Sequence, residues 1–183
     1  MKSHPKGSST QRVFYRQGAR KIYVEPLENV LALRYREDAE KEVGRALRSL
    51  GQVEMMGPQR LAIVEFSDEA QREAASKQLQ QWLEEGLVEF VTPVLRDAES
   101  ELRQILTDEI AVRFKSALPA KRLRAVEHKY GVTVTRQNEF VPNQFIVKVA
   151  QPAGLHTLEV ASQLDAANEV EFATPNFISE HRR

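Results

Sequence analysis

The sequence predicts an α+β fold in which one βαββαβ unit occurs twice. Three observations carry that prediction. First, Val88-Glu89-Phe90-Val91-Thr92-Pro93 returns 82 positions on as Val170-Glu171-Phe172-Ala173-Thr174-Pro175, with five of six positions identical. Second, Leu31-Ala32-Leu33-Arg34-Tyr35-Arg36 returns 79 positions on as Ile110-Ala111-Val112-Arg113-Phe114-Lys115, with every change conservative. Third, between these anchors the apolar period switches in the same order in both halves, from alternation to a helical repeat and back. The chain of 183 residues then divides into a basic N-terminal tail (1–21), a first unit (22–98) and a second unit (99–183).

Each unit opens on an alternating strand, with Leu31, Leu33 and Tyr35 on one face and Ile110, Val112 and Phe114 repeating the pattern. A helix follows. Val43, Ala46, Leu47 and Leu50 share one side of it in the first unit, and Leu123, Val126 and Tyr130 in the second. Gly51 and Gly131 stand where a left-handed helix end is expected. Second strands are expected near 52–57 and 132–136, then turns at Gly57-Pro58 and Val141-Pro142-Asn143, then third strands at 61–66 and 144–149. The second helices carry Ala75, Leu79, Trp82 and Leu83, and Leu158, Ala161 and Leu164, with Ser67-Asp68 as an N-terminal cap for the former. Gly86 and Asn168 end them, and the Val-Glu-Phe motif supplies each fourth strand. This order describes two tandem ferredoxin-like units, each a four-stranded antiparallel sheet with two helices on one face. The other face is left for a partner. A unit of about 80 residues has a small core, so packing two together is a structural reason for duplication.

Composition excludes several functions. The 26 basic and 26 acidic residues cancel, which argues against a nucleic-acid partner. Because the chain has no cysteine, thiol chemistry and cysteine-ligated zinc are ruled out. No apolar run is long enough to span a membrane, and no continuous apolar segment follows the basic start, so a cytoplasmic address is expected. The histidines His4, His128, His156 and His181 are scattered, and no GxSxG, P-loop or GxGxxG is present. No catalytic residue, metal ligand or cofactor is expected, and the chain reads as a non-enzyme. The N-terminal residues read as a solvated arm, although Val13, Phe14, Tyr15, Ile22, Tyr23 and Val24 could add a strand.

The second unit resembles a known family. Thr107-Asp108-Glu109-Ile110-Ala111-Val112-Arg113-Phe114-Lys115, the helix ending in Tyr130-Gly131, and Asn143-Gln144-Phe145-Ile146-Val147-Lys148-Val149 are similar to the propeptides of subtilisin-like serine proteases. Val170-Glu171-Phe172-Ala173-Thr174-Pro175-Asn176-Phe177 resembles their closing motif, Val-x-x-Ala-Glu-Pro-Asn-aromatic. The first unit is a weaker match, with Val91 for the alanine and Val94 in place of Asn176. Thr174 stands where bacterial subtilisin propeptides usually have Glu, and Asn176 where many have Asp.

The resemblance implies an inhibitor and folding chaperone acting in trans on a subtilisin-like serine protease. Its sheet would pack on two surface helices of the enzyme, with polar groups of the last strand capping their N-terminal amides. Glu171, Thr174 and Asn176 are the candidates for that role. The segment Phe177, Ile178, Ser179, Glu180, His181, Arg182 and Arg183 would run product-like into the active-site cleft. Thr and Asn can accept the amide hydrogen bonds but lack the charge that complements a helix N-terminus, a difference of about 0.3–1 kcal/mol each. Two other readings fit the same residues: a tandem ferredoxin-like assembly module without a protease partner, and the excised propeptide of a longer protease precursor.

Overall fold

The structure is a computed structural model and describes residues 13–18, 20–150 and 154–179. It has nine described strands: β1 (Val13–Gln17), β2 (Arg20–Tyr35), β3 (Gln52–Met56), β4 (Leu61–Glu65), β5 (Val88–Asp97), β6 (Arg103–Phe114), β7 (Val132–Gln137), β8 (Gln144–Val149) and β9 (Val170–Ser179). Four helices lie between them: α1 (Glu40–Leu47), α2 (Glu69–Glu84), α3 (Ala120–Tyr130) and α4 (His156–Asp165). Every ladder is antiparallel, and together they form one sheet in the order β3-β4-β2-β5-β6-β8-β7, with β1 on β2 and β9 on β6. The two halves therefore run β3-β4-β2-β5 and β7-β8-β6-β9, the same order read from either end.

The helix-side cores follow from the alternation. In the first half Leu33 and Tyr35 meet Val43 and Leu47 of α1 and Ala75, Leu79 and Trp82 of α2. In the second half Ile110, Val112 and Phe114 meet Val126 of α3 and Val160, Ala161 and Leu164 of α4. Asp68 caps α2, its Oδ1 accepting from Gln71 N at 2.8 Å, while Gln71 Oε1 accepts from Ser67 N at 2.7 Å. The first bond satisfies an amide that the first turn leaves without an intrahelical partner, and the second ties the turn to the residue before the cap.

The two repeat glycines act differently. Gly131 ends α3 in the left-handed region, at φ 63° and ψ 40°. Gly51 does not have a positive φ; a Cβ there would lie 2.5 Å from the Glu65 carbonyl oxygen. Its requirement is close approach of two backbones, not a left-handed helix end.

Beyond the two repeats the long strands interlock. The hexapeptide shared by the two halves ends in a proline, Pro93 opposite Leu31 and Pro175 opposite Ile110, and each ladder is interrupted immediately afterwards. Proline cannot donate to a ladder, so the break falls where the pairing is already incomplete. In the first half Leu27 to Val30 bulge opposite Val94, with Asn29 at φ 59°; in the second Thr107 to Glu109 bulge opposite Asn176. Pairing then resumes. Val94, Leu95 and Arg96 pair with Ile105, Gln104 and Arg103, and the other edge of β6 takes Phe177, Ile178 and Ser179 opposite Leu106, Ile105 and Gln104.

Both sides of this junction are buried. Val30, Ala32, Leu61, Ile63, Phe90, Val94 and Ile105 cluster on the side away from the helices of the first half, with Ile178 packed against them. Tyr15, Val24, Leu95, Leu106 and Leu158 cluster on the other, with Phe177. The sheet curls so that β1 reaches the second half. The Tyr15 ring centroid is 4.7 Å from that of Phe177, and Arg16 Nε is 3.9 Å from Asp165 Oδ2. The strand foreseen as an option for Val13, Phe14 and Tyr15 is thus formed, paired with Arg20 to Val24.

Candidate functional site

Cross-strand partners project from the same side of a sheet. The pairs Ala111–Ile146, Ala111–Thr174, Arg113–Phe172 and Glu109–Lys148 therefore define the face of the second half that α3 and α4 leave uncovered. All of these residues are half-buried. The corresponding pairs of the first half are Ala32–Ile63, Ala32–Thr92 and Arg34–Phe90. There the face is closed: Ala32 and Phe90 are 0% exposed and Ile63 3%. Ile105 joins that cluster, and Leu27, Met56 and Ile178 pack against it. Two faces that look equivalent in sequence differ in access because the strand extensions cover only one.

The sequence-predicted contact residues lie along β9. Glu171 is exposed, its Oε2 3.2 Å from Arg113 Nε. Thr174 is half-buried opposite Ala111 on the open face. Asn176 is exposed; its Nδ2 donates to Glu109 Oε2 at 3.1 Å, and its backbone carbonyl accepts from Thr107 Oγ1 at 3.0 Å. Because Glu109 holds the carboxamide by its nitrogen, the oxygen is the atom suited to accept from a partner's backbone N–H. Glu171, Thr174 and Asn176 thus share one strand, each positioned by a neighbour on β6.

The next three residues are held by the chain itself. Phe177 stacks near Tyr15, Ile178 packs into the first half's closed face, and Ser179 pairs with Gln104. Glu180, His181, Arg182 and Arg183 lie outside the described residues. Burial, followed by the Asp97 charge, raises the Tyr15 pKa, and a hydrogen bond involving Gln104 acts the other way. Tyr15 therefore stays a neutral phenol that can pack its ring on Phe177.

Sequence reasoning missed Ala111, Ile146 and Phe172 as part of this face. The signal was present in the strand alternation, which sends these side chains opposite to Ile110, Val112, Val147 and Ala173. Among the described residues no group of three or more His, Asp or Glu side chains could hold a metal ion, and no helix is long and apolar enough to cross a membrane. His128 is exposed on α3, and the exposed His156 Nδ1 is 3.0 Å from Glu159 Oε2 within α4.

The half-open sheet face and its polar closing strand lie in a stretch that is similar to a protease propeptide domain. Residues 96–176, which run from the end of β5 to Asn176 of β9, match the family model described as the fervidolysin N-terminal prodomain. That family is a prodomain, not a catalytic domain. The chain is also 28% identical over 116 residues to proteins named calcium-dependent protease from Nostoc sp. (strain PCC 7120) and from Trichormus variabilis (strain ATCC 29413). Each alignment covers 63% of this chain and 17% of the relative, so the chain spans less than a fifth of the curated relatives it matches.

Proposed function

We propose that the chain inhibits a subtilisin-like serine protease in trans and assists its folding, docking through the open face of its second half. The observation that carries this reading is the prodomain match over residues 96–176, whose last residue lies in the closing motif on β9. In this reading each half is a ferredoxin-like unit, supported by the shared ladder order and by two helices on one side of each half. Glu171, Thr174 and Asn176 would offer acceptors to the amides at the N-termini of the enzyme's surface helices. The residues after Ser179 would approach the cleft. Phe177 and Ile178 would serve instead as the fixed base from which that segment departs, since both are packed inside the chain.

The test is inhibition. The protein is titrated against a panel of subtilisin-like proteases and against the Nostoc calcium-dependent protease, and residual activity is read. Inhibition at stoichiometric concentration is expected, and its absence across the panel at micromolar protein rejects the reading. Deleting residues 180–183, which leaves β9 complete, separates docking from cleft occupancy. A deletion that binds the protease but no longer blocks it supports the product-like segment; one that blocks equally well removes that part of the mechanism.

A second reading has one specific observation in its favour. The small share of each relative that is aligned fits a prodomain acting in cis within a longer protease precursor. An antibody to the second half distinguishes the two in native cells: a protein the size of this chain favours action in trans, and a protease-sized precursor favours action in cis.

A further inference from the structure

The β7–β8 connection of the second half differs from its counterpart in the first. In the first half β3 and β4 are joined by a compact 3-10 turn, Gly57–Gln59, closed by Arg60 N donating to Gly57 O at 3.0 Å. It carries no aromatic residue. In the second half the connection is longer and carries Phe140, which is 92% exposed. The next most exposed large apolar side chain among the described residues, Tyr23, is 47% exposed.

The loop is tied down on both sides of that ring. Asn138 Oδ1 accepts from Phe140 N at 2.9 Å and from Val141 N at 3.1 Å. Asn138 N donates to Gln144 O at 2.8 Å, and Phe114 N donates to Asn143 O at 2.9 Å. Phe140 therefore stands out from a fixed backbone. It also borders a shallow hollow shared with Arg136 and with Ile146, and Ile146 belongs to the open face. The aromatic residue is thus continuous with the one sheet face that the chain leaves accessible.

We propose that Phe140 anchors the contact between this face and the protease, seating in an apolar depression on the enzyme's catalytic domain; this rests on the proposed protease contact. Aromatic side chains on pre-ordered backbone contribute most at protein interfaces, because they bury large area and lose little freedom on binding. The closed face of the first half and its short turn offer no equivalent. Each chain therefore engages one protease, through its second half.

The test uses the full chain. Wild type, Phe140→Ala and Phe140→Leu are titrated against subtilisin and the Nostoc calcium-dependent protease, and melting temperatures are measured alongside. For the wild type, one chain per protease at the endpoint is expected. Phe140→Ala is expected to raise the inhibition constant at least tenfold with an unchanged melting temperature, and Phe140→Leu to retain most of the inhibition. An alanine variant that inhibits as well as wild type overturns the proposal while leaving the proposed function intact. An endpoint of two proteases per chain overturns the single-face assignment. A wild type that inhibits neither enzyme overturns this anchor, and the proposed function falls with it when the whole panel is likewise uninhibited.

Discussion

Gly51 and Gly131 occupy matching places in the repeat yet tolerate change differently. At Gly51 an added Cβ meets the Glu65 backbone oxygen at 2.5 Å, and backbone cannot step aside as a side-chain tip can. Gly51→Ala is expected to cost about 2 kcal/mol, the scale of overpacking in a tight core. At Gly131 nothing lies within 4 Å and only the left-handed φ matters, so Gly131→Ala is expected to cost about 1 kcal/mol. Urea denaturation of both variants checks the order. Local spacing was enough to foresee the Gly131 helix end. It could not reveal Gly51's reason, because the group that crowds it comes from the neighbouring strand β4, distant in sequence. Two of the carboxylates with lowered pKa values bear on acid stability at the same scale. Asp68 has a lowered pKa because its carboxylate accepts from Gln71 N and then Ser67 Oγ. At Asp97 burial pushes the other way, but the Ser100 and Glu99 amides, the Ser100 hydroxyl and the Arg20 charge together bring the pKa below its ordinary value. Both groups stabilise the fold above the unfolded aspartate pKa of about 3.9, and that stabilisation is lost as pH falls through the lower folded values. Thermal melts from pH 6 to pH 2 should show the loss concentrated below about pH 4. It should be smaller in Asp97→Asn and Asp68→Asn.

Among the elements, the strand extensions decide how the halves relate. The helices and the inner strands were legible because each shows its own period: Leu79 and Trp82 on α2, and Ile110, Val112 and Phe114 on β6. The extension of β5 to Asp97 and of β9 to Ser179 was not, because the sequence motifs end at Pro93 and Pro175 and the pairing resumes only past a bulge. The strand β1 was legible only as an option, because it shows one buried residue in five, Tyr15, whose burial is shared with residues from both halves of the chain. On the candidate site, the polar positions of β9 could be read from the closing motif. The packing of Phe177 and Ile178 could not, since it depends on the other half. Ile105 is the element-level test. It is fully buried and pairs with Val94 on one side and Ile178 on the other. Ile105→Ala is expected to cost about 3 kcal/mol. The cost should appear as an earlier but still single transition, by tryptophan fluorescence from Trp82 and by far-ultraviolet circular dichroism alike.

For the whole molecule, a sheet continuous through β5 and β6 with apolar clusters on both sides predicts one cooperative unit. The N-terminal strand is part of that unit. Tyr15→Ala removes a ring that is 6% exposed and lies against Phe177, and should cost about 3 kcal/mol. Amide hydrogen exchange gives the sharper reading: protection should fall at Phe177 to Ser179, more than 160 residues from the substitution, while α2 stays protected. Equal loss everywhere would mean that Tyr15 contributes only to global stability and does not hold the end of β9. The same contact explains the uneven role of the repeats. The first half, with its sheet face closed, fixes the strand that the second half presents.

That arrangement also orders events in time. The N-terminal part of β6 lies between β5, which is made just before it, and the end of β9, which is made some seventy residues later. As the chain emerges, the first half can assemble its helix-side core from Leu33 to Val88 without help. Its opposite face, with Ala32, Ile63 and Phe90, gains Ile105 next and is completed only when Ile178 arrives. That face is therefore the last part of the first half to be sealed from water during synthesis.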